Sequence, residues 1–121
     1  MGKEKILVIE DNPLNMELVS DLLEAAGYAI HKARTAERGL RLADEISPDL
    51  ILMDIGLPGM DGLVATGKLK NNPQTWDIPV IALTAHAMVS DRGKAMAAGC
   101  SDYITKPINT RALLKQIAKY L

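Results

Sequence analysis

Apolar residues fall along this chain in two kinds of block that alternate from end to end. The first kind is short and mostly aliphatic: Lys5 to Ile9, Tyr28 to Ala33, Asp49 to Met53, Val80 to Leu83, and Asp102 to Thr105. Blocks of that length predict strands, and the run after Asp49, apolar without alternation, predicts one covered on both faces. The second kind spaces its apolar residues three and four apart. Met16, Val19, Leu22, Leu23 and Ala26 form one such stripe, Ala36, Leu40, Ala43 and Ile46 another, and Leu113, Leu114, Ile117 and Leu121 a last one. Two further helices are expected at about residues 63–71 and 88–98.

Turn and cap residues sit where these elements should begin and end. Asn12-Pro13 reads as an N-cap followed by the first helical residue, and Gly27 as a left-handed C-terminal cap. Thr35 caps the second helix and Ser47-Pro48 ends it. Gly56-Leu57-Pro58-Gly59-Met60-Asp61-Gly62 is a turn segment, Asn71-Asn72-Pro73 breaks the third helix, Gly99 closes the fourth, and Asn109 or Thr110 caps the last. Five strand-then-helix units with connections this short imply right-handed crossovers. They predict a doubly wound α/β fold, a five-stranded parallel sheet with five helices over both faces, as a single domain over residues 1–121.

Charge narrows the partners. Lys and Arg number 14 against 15 Asp and Glu, a formal net charge of -1, so the chain lacks the basic excess that direct nucleic-acid binding needs. The longest apolar runs, Ile6 to Ile9 and Leu50 to Met53 among them, are four residues, far below the roughly 20 of a membrane-spanning helix. One cysteine, Cys100, excludes an intrachain disulfide and any multi-cysteine metal site; it fits a reducing cytoplasm and reads as a small core residue.

Ligands of an open parallel sheet bind beyond the carboxyl ends of its strands. Those ends carry Glu10 and Asp11 after the first strand, Asp54 after the third, Thr84 after the fourth and Lys106 after the fifth. Taken singly, each residue has an ordinary explanation: a helix cap, a turn residue, a loop hydroxyl, a solvated charge. Together they put three carboxylates at one edge, and unless a cation sits among them at least one should resist ionising. A hard divalent ion such as Mg²⁺ takes oxygen ligands and commonly bridges carboxylates to a phosphate. A carboxylate could then serve as nucleophile toward phosphorus, with Lys106 and Thr84 holding phosphoryl oxygens.

The same residues carry a resemblance that spans essentially the whole chain. Ile9-Glu10-Asp11-Asn12, Leu52-Met53-Asp54-Ile55 with Leu57-Pro58-Gly59-Met60-Asp61-Gly62, Ala82-Leu83-Thr84-Ala85, and Asp102-Tyr103-Ile104-Thr105-Lys106-Pro107 resemble, in order and spacing, the motifs of response-regulator receiver domains. The resemblance implies the strand order 2-1-3-4-5. It makes Asp54 the acceptor of a phosphoryl group from a histidine kinase or histidine phosphotransfer protein. Mg²⁺ would be held by Glu10, Asp11, Asp54 and the Gly56 carbonyl, and Lys106 would pair with the phosphoryl group. Thr84 would swing toward that group as Tyr103 turns inward, the switch of the family, and Lys106-Pro107 would be a cis peptide. The face made by the fourth helix, fifth strand and fifth helix, including Met88, Tyr103 and Ala112, would meet a downstream protein. The chain would catalyse only its own phosphorylation and dephosphorylation.

Two finer readings accompany this one. Glu10-Asp11-Asn12-Pro13-Leu14-Asn15 with Ala82-Leu83-Thr84-Ala85-His86-Ala87-Met88 is similar to single-domain, DivK-like regulators of cell division and polar differentiation, though receivers attached to hybrid histidine kinases look alike. The length leaves no room for a DNA-binding output domain, which favours the stand-alone form. Leu14, Asn15, Met16, Pro107 and Ile108 flank the site and are candidates for docking a four-helix phosphodonor, with a core role as the alternative. His86 and the side-chain-free Gly56 lie where water access to the phosphoryl group is influenced, and Trp76 is expected to cover an edge of the core.

Three rivals share parts of the pattern. A haloacid-dehalogenase-like phosphatase needs a second acid two residues beyond its nucleophile, where this chain has Gly56. A flavodoxin-like flavin carrier would place phosphate at a hydroxyl- and glycine-rich loop, where Glu10-Asp11 would repel it. An interaction domain with an inactive site is opposed by the completeness of the constellation.

Overall fold

In the computed structural model, which describes residues 3–57, 59–85 and 89–121, the elements alternate as β1 (Lys5–Ile9), α1 (Pro13–Ala25), β2 (Ala29–Ala33), α2 (Ala36–Ile46), β3 (Leu50–Asp54), α3 (Gly62–Lys70), β4 (Val80–Thr84), α4 (Val89–Ala98), β5 (Asp102–Thr105) and α5 (Thr110–Lys119). All strand pairs are parallel, and the sheet order is β2-β1-β3-β4-β5. The doubly wound class and the strand order are those expected. His86, Met88 and Pro58, singled out above, lie outside the described residues.

The two-residue period of the strands divides the core. Ile6 and Val8 of β1, Leu50 and Leu52 of β3, and Ile81 and Leu83 of β4 join Met16, Val19 and Leu23 of α1 and Leu113 and Ile117 of α5. Their neighbours Leu7, Ile9, Ile51, Met53, Val80 and Ala82 face the opposite way, onto Ala36 and Ala43 of α2, Ala65 and Leu69 of α3, and Ala95 of α4. Each large aliphatic side chain so buried contributes about 1.5–3 kcal/mol. That is why β1, β3 and β4, adjacent in the sheet, carry polar residues only at their ends.

Caps end the helices largely as expected. Asn12 Oδ1 accepts from the Leu14 and Asn15 amides at 2.9 and 3.1 Å, Thr35 Oγ1 from Arg38 at 3.1 Å, and Asn109 Oδ1 from Ala112 at 3.1 Å. Gly27 and Gly99 take positive φ, 101° and 109°, the region a glycine enters without steric cost.

The differences have local causes. β2 begins at Ala29 because the Tyr28 amide still closes α1, donating to Leu23 O at 3.1 Å. β3 and β4 each run one residue further than expected, since Asp54 keeps register with Leu83 and Thr84 with Thr105. In α1 the buried face is Met16, Val19, Ser20 and Leu23; Ala26 is the C-cap and is exposed. Ser20 tolerates burial because its hydroxyl donates to Met16 O at 2.6 Å. Leu121 follows the end of α5 and is 40% exposed, and Trp76, at 60%, does not cover the core edge. Cys100 is in the core, 5% exposed.

Candidate functional site

β1, β3, β4 and β5 end at one edge of the sheet, and the parallel register delivers their last residues to a cleft of about 320 Å³. Glu10, Asp11, Asp54, Gly56, Thr84 and Lys106 all line it, joined by Asn12, Asn15, Ile55 and Ala85. Glu10 is fully buried, Asp54 and Thr84 are each 5% exposed, and Asp11 is exposed. The Lys106–Pro107 peptide bond is cis, and the Lys106 amide donates to Thr84 O at 2.7 Å. The β5 end is thereby fixed against the β4 end.

Charge in the cleft is organised around Lys106. Its ammonium stands 2.9 Å from Glu10 Oε1 and 3.2 Å from Asp54 Oδ2. Asp54 Oδ1 accepts the Gly56 amide at 3.0 Å, and Glu10 Oε2 accepts the Asn12 amide at 3.2 Å. Glu10 Oε1 meets this ammonium as an ion pair without hydrogen-bond direction.

Two buried carboxyls side by side do not both ionise freely. Burial is the largest influence on Glu10, and with a hydrogen bond to Asp54 it pushes the carboxyl from 4.5 up to about 7 against the opposing pull of Lys106. At Asp54 burial also raises, but the hydrogen bond from Glu10, the Gly56 amide and the Lys106 charge outweigh it and hold the carboxyl low. For Lys106 burial opposes the charge, while Glu10 and Asp54 prevail and raise its affinity for the proton. One proton and one ammonium therefore stand in for the positive charge that three clustered carboxylates require.

The donor set fits a hard cation. Carboxylate oxygens of Glu10, Asp11 and Asp54, one from each residue, lie within 4.8 Å of one another. Oxygen ligands from carboxylates, with room left in the cleft for water, are what Mg²⁺ prefers.

One residue of the site was missed by sequence reasoning. A Cβ on Gly62 would collide with the Asp54 carbonyl oxygen and stand 2.8 Å from Ile55 Cα, and the Gly62 amide donates to Ile55 O at 3.2 Å. The close approach of α3 to the end of β3 thus positions Asp54. In the sequence Gly62 stands only as the end of the Gly56–Gly62 turn and of the motif that carries the resemblance, with no role of its own.

Other candidates separate. Tyr103 is half-buried and does not line the cleft; it opens onto the neighbouring groove between α4 and α5. Tyr103 pairs with Ala82 and Thr84 with Thr105, so Thr84 and Tyr103 share one face of the sheet, with Thr84 lining the cleft and Tyr103 the groove. Of the proposed docking residues, Met16 is in the core and 7% exposed, whereas Leu14 is 76% exposed. Leu14 joins Leu18, Leu22 and Thr110 in a shallow, largely apolar depression between α1 and α5. Asn15 lines the acidic cleft, Pro107 is exposed and Ile108 half-buried.

Comparison with known proteins agrees with this geometry. Residues 6–118 match the family model described as the response regulator receiver domain. The chain is 45% identical over 118 residues to the polar-differentiation response regulator DivK of Brucella ovis, covering 98% of this chain and 96% of that one. The receiver domain of a Pseudomonas aeruginosa sensor histidine kinase, solved with a magnesium ion coordinated in its active-site cleft, superposes with a TM-score of 0.91 at 33% identity, covering 98% of both chains. The structure of a Saccharomyces cerevisiae complex, the histidine phosphotransfer protein Ypd1 with the receiver domain of its downstream response regulator Ssk1, matches with a TM-score of 0.90 at 28% identity, over 98% of this chain and 89% of that one.

Proposed function

Because the chain belongs to the response-regulator receiver domain family, we propose that Asp54 accepts a phosphoryl group from a phosphohistidine and that the resulting acyl phosphate changes which protein the chain binds. The observation that carries this reading is the convergence of Lys106 on Asp54 and Glu10, at 3.2 and 2.9 Å, beside a third carboxylate. An Asp54 carboxylate oxygen attacks phosphorus, the P–N bond to the donor imidazole breaks, and the electron pair leaves with that nitrogen. Asp54 is held ready for this: it stays ionised beside Lys106 and is oriented by the Gly56 amide.

Glu10, Asp11 and Asp54, with the Gly56 carbonyl, would hold Mg²⁺. When bound, the ion neutralises charge building on the phosphoryl oxygens. Lys106 turns from the carboxylates to the phosphoryl group, and Thr84 supplies a hydroxyl from the opposite side. Tyr103 follows Thr84 inward and alters the surface formed by α4, β5 and α5, which meets the downstream protein. The apolar depression of Leu14, Leu18 and Leu22 suits the helices of a histidine kinase or phosphotransfer protein; the yeast pair above is support by analogy. No described helix is long and apolar enough to cross a membrane, and action in the cytoplasm, without direct nucleic-acid contact, completes the reading. Identity to DivK favours a stand-alone regulator of polar differentiation over a receiver excised from a hybrid kinase.

The test is intact-protein mass after incubation with Mg²⁺ and acetyl phosphate. A gain of about 80 Da, one phosphoryl group, is expected in the wild type and not in Asp54→Asn. An equal gain in Asp54→Asn moves the acceptor elsewhere. No gain from acetyl phosphate or from a phosphohistidine donor removes the proposed activity.

A further inference from the structure

Tyr103 belongs to a strand that ends at the acidic cleft, yet its ring lies in the groove beyond, lined by Arg92 of α4 and by Ala112 and Gln116 of α5. The Arg92 guanidinium carbon is 5.0 Å from the ring centroid, within the range where a cation is attracted to an aromatic face. Gln116 Nε2 donates to the Tyr103 carbonyl at 3.2 Å, which ties the backbone beneath the ring to α5 and leaves the side-chain torsions as its freedom. The acidic neighbour in the groove, Asp102, is already engaged: Oδ1 accepts the Tyr103 amide at 2.8 Å and Oδ2 the Tyr120 hydroxyl at 3.2 Å. Among the described residues Arg92 enters no ion pair, and the aromatic face of Tyr103 is its contact.

We propose that Arg92 is a positioning residue that holds Tyr103 outward in the unphosphorylated protein and so sets how strongly the resting arrangement is favoured. The proposal rests on Thr84 and Tyr103 being the switch pair. A ring turned toward Thr84 leaves the guanidinium without its aromatic face, so this contact exists in one of the two arrangements. A contact made in one state alone shifts the equilibrium by its full worth, and linkage returns the same factor in the affinity for any ligand of the other state. At an exposed position such a contact is worth about a two- to five-fold bias.

The experiment titrates the full chain, in saturating Mg²⁺, with beryllium fluoride as a phosphoryl mimic. Binding is followed by calorimetry and the α4–β5–α5 surface by amide NMR. Arg92→Ala is expected to bind the mimic about two- to five-fold more tightly, with Arg92→Lys between it and the wild type. In a Tyr103→Leu background Arg92→Ala should change nothing, a coupling that a merely structural arginine would not show. Unchanged or weaker binding by Arg92→Ala, or the same gain without Tyr103, overturns the proposal. If Tyr103→Leu alone alters neither mimic affinity nor the surface response, the switch reading itself fails, and the role of Arg92 falls with it.

Discussion

Removing the divalent ion and raising the pH should weaken this protein, the reverse of the usual behaviour of a buried carboxylate paired with lysine. The perturbation acts on Glu10, whose carboxyl rises from 4.5 to about 7, chiefly by burial and by its hydrogen bond to Asp54. Between those values the native state holds a proton that the unfolded chain has released, so stability falls as pH rises through the window. Worked at about 1.4 kcal/mol per pH unit, the loss between pH 5 and pH 8 is at most about 2.5 kcal/mol. The cleft opens to solvent beside the 20%-exposed Lys106, and with that screening about 1–2.5 kcal/mol is expected. Asp54 does not contribute, because its carboxyl is held below its ordinary 3.8 and its own loss of stability comes only at lower pH. The assay is urea unfolding at several pH values in a chelator, with Glu10→Gln as reference, since a glutamine stays neutral and can still donate to Asp54. The wild type should lose ground to Glu10→Gln steadily from pH 5 to 8. Mg²⁺ should narrow the gap, because it binds the ionised carboxylates. A flat difference, or one favouring the wild type at pH 8, would refute the assignment of the proton to Glu10.

The remaining predictions address the neighbours of Asp54. Asp11→Asn should cost on the order of ten-fold in Mg²⁺ affinity measured by calorimetry, while leaving the urea midpoint nearly unchanged because Asp11 is exposed; unaltered affinity would count against the three-carboxylate site. Gly62→Ala should destabilise by about 1–3 kcal/mol and slow phosphorylation by acetyl phosphate, since the new methyl meets the Asp54 and Ile55 backbone. Gly67→Ala, in the same helix with open space at its Cβ, should instead stabilise by about 0.5–1 kcal/mol; equal destabilisation by both would remove the special role of Gly62. Thr84→Ala should still gain the phosphoryl mass but lose the accompanying amide shifts on the α4–β5–α5 surface, and retained shifts would separate the hydroxyl from the switch.

What the sequence made legible was periodicity and punctuation. Two-residue alternation was absent from β1, β3 and β4 because both faces are covered, and that absence itself announced a sheet between two helical layers. Strand order was a different matter: connection lengths do not say which strands become neighbours, and 2-1-3-4-5 was available only through resemblance. The ambiguity at α1 shows a second limit. Met16, Val19 and Leu23 form one apolar stripe and Leu14, Leu18 and Leu22 another, and a single helix can turn only one of them fully to the sheet. Met16, Val19 and Leu23 are the inner stripe, as their spacing indicates; what the sequence hides is Ser20 buried beside Met16, because a serine satisfied by its own helix reads as surface. Gly62 was illegible for a similar reason. Its role is defined by a backbone approach from β3, and nothing within its own turn records that.

Charge at this site has a covalent path toward the groove, because Lys106, which lines the cleft, follows Thr105, which lines the groove. In the resting protein Lys106 balances Glu10 and Asp54, an arrangement that works only while Asp54 carries at most a single negative charge. An acyl phosphate on Asp54 would carry about two negative charges at neutral pH where the carboxylate carries one, and the lysine would follow the added charge. Its backbone cannot drift freely, since the Lys106 amide is held by Thr84 O at 2.7 Å and Thr105 keeps register with Thr84. Motion at the charged end would therefore be felt at the β4–β5 edge, where Thr84 faces the cleft and Tyr103 the groove. There the ring packs against the core side of the sheet and carries the Arg92 guanidinium 5.0 Å from its centroid. With Thr84 and Tyr103 as the proposed switch pair, so weak a contact would suit a reversible switch, because it would bias the resting state without exceeding what an ion pair between Lys106 and a phosphoryl group could overcome.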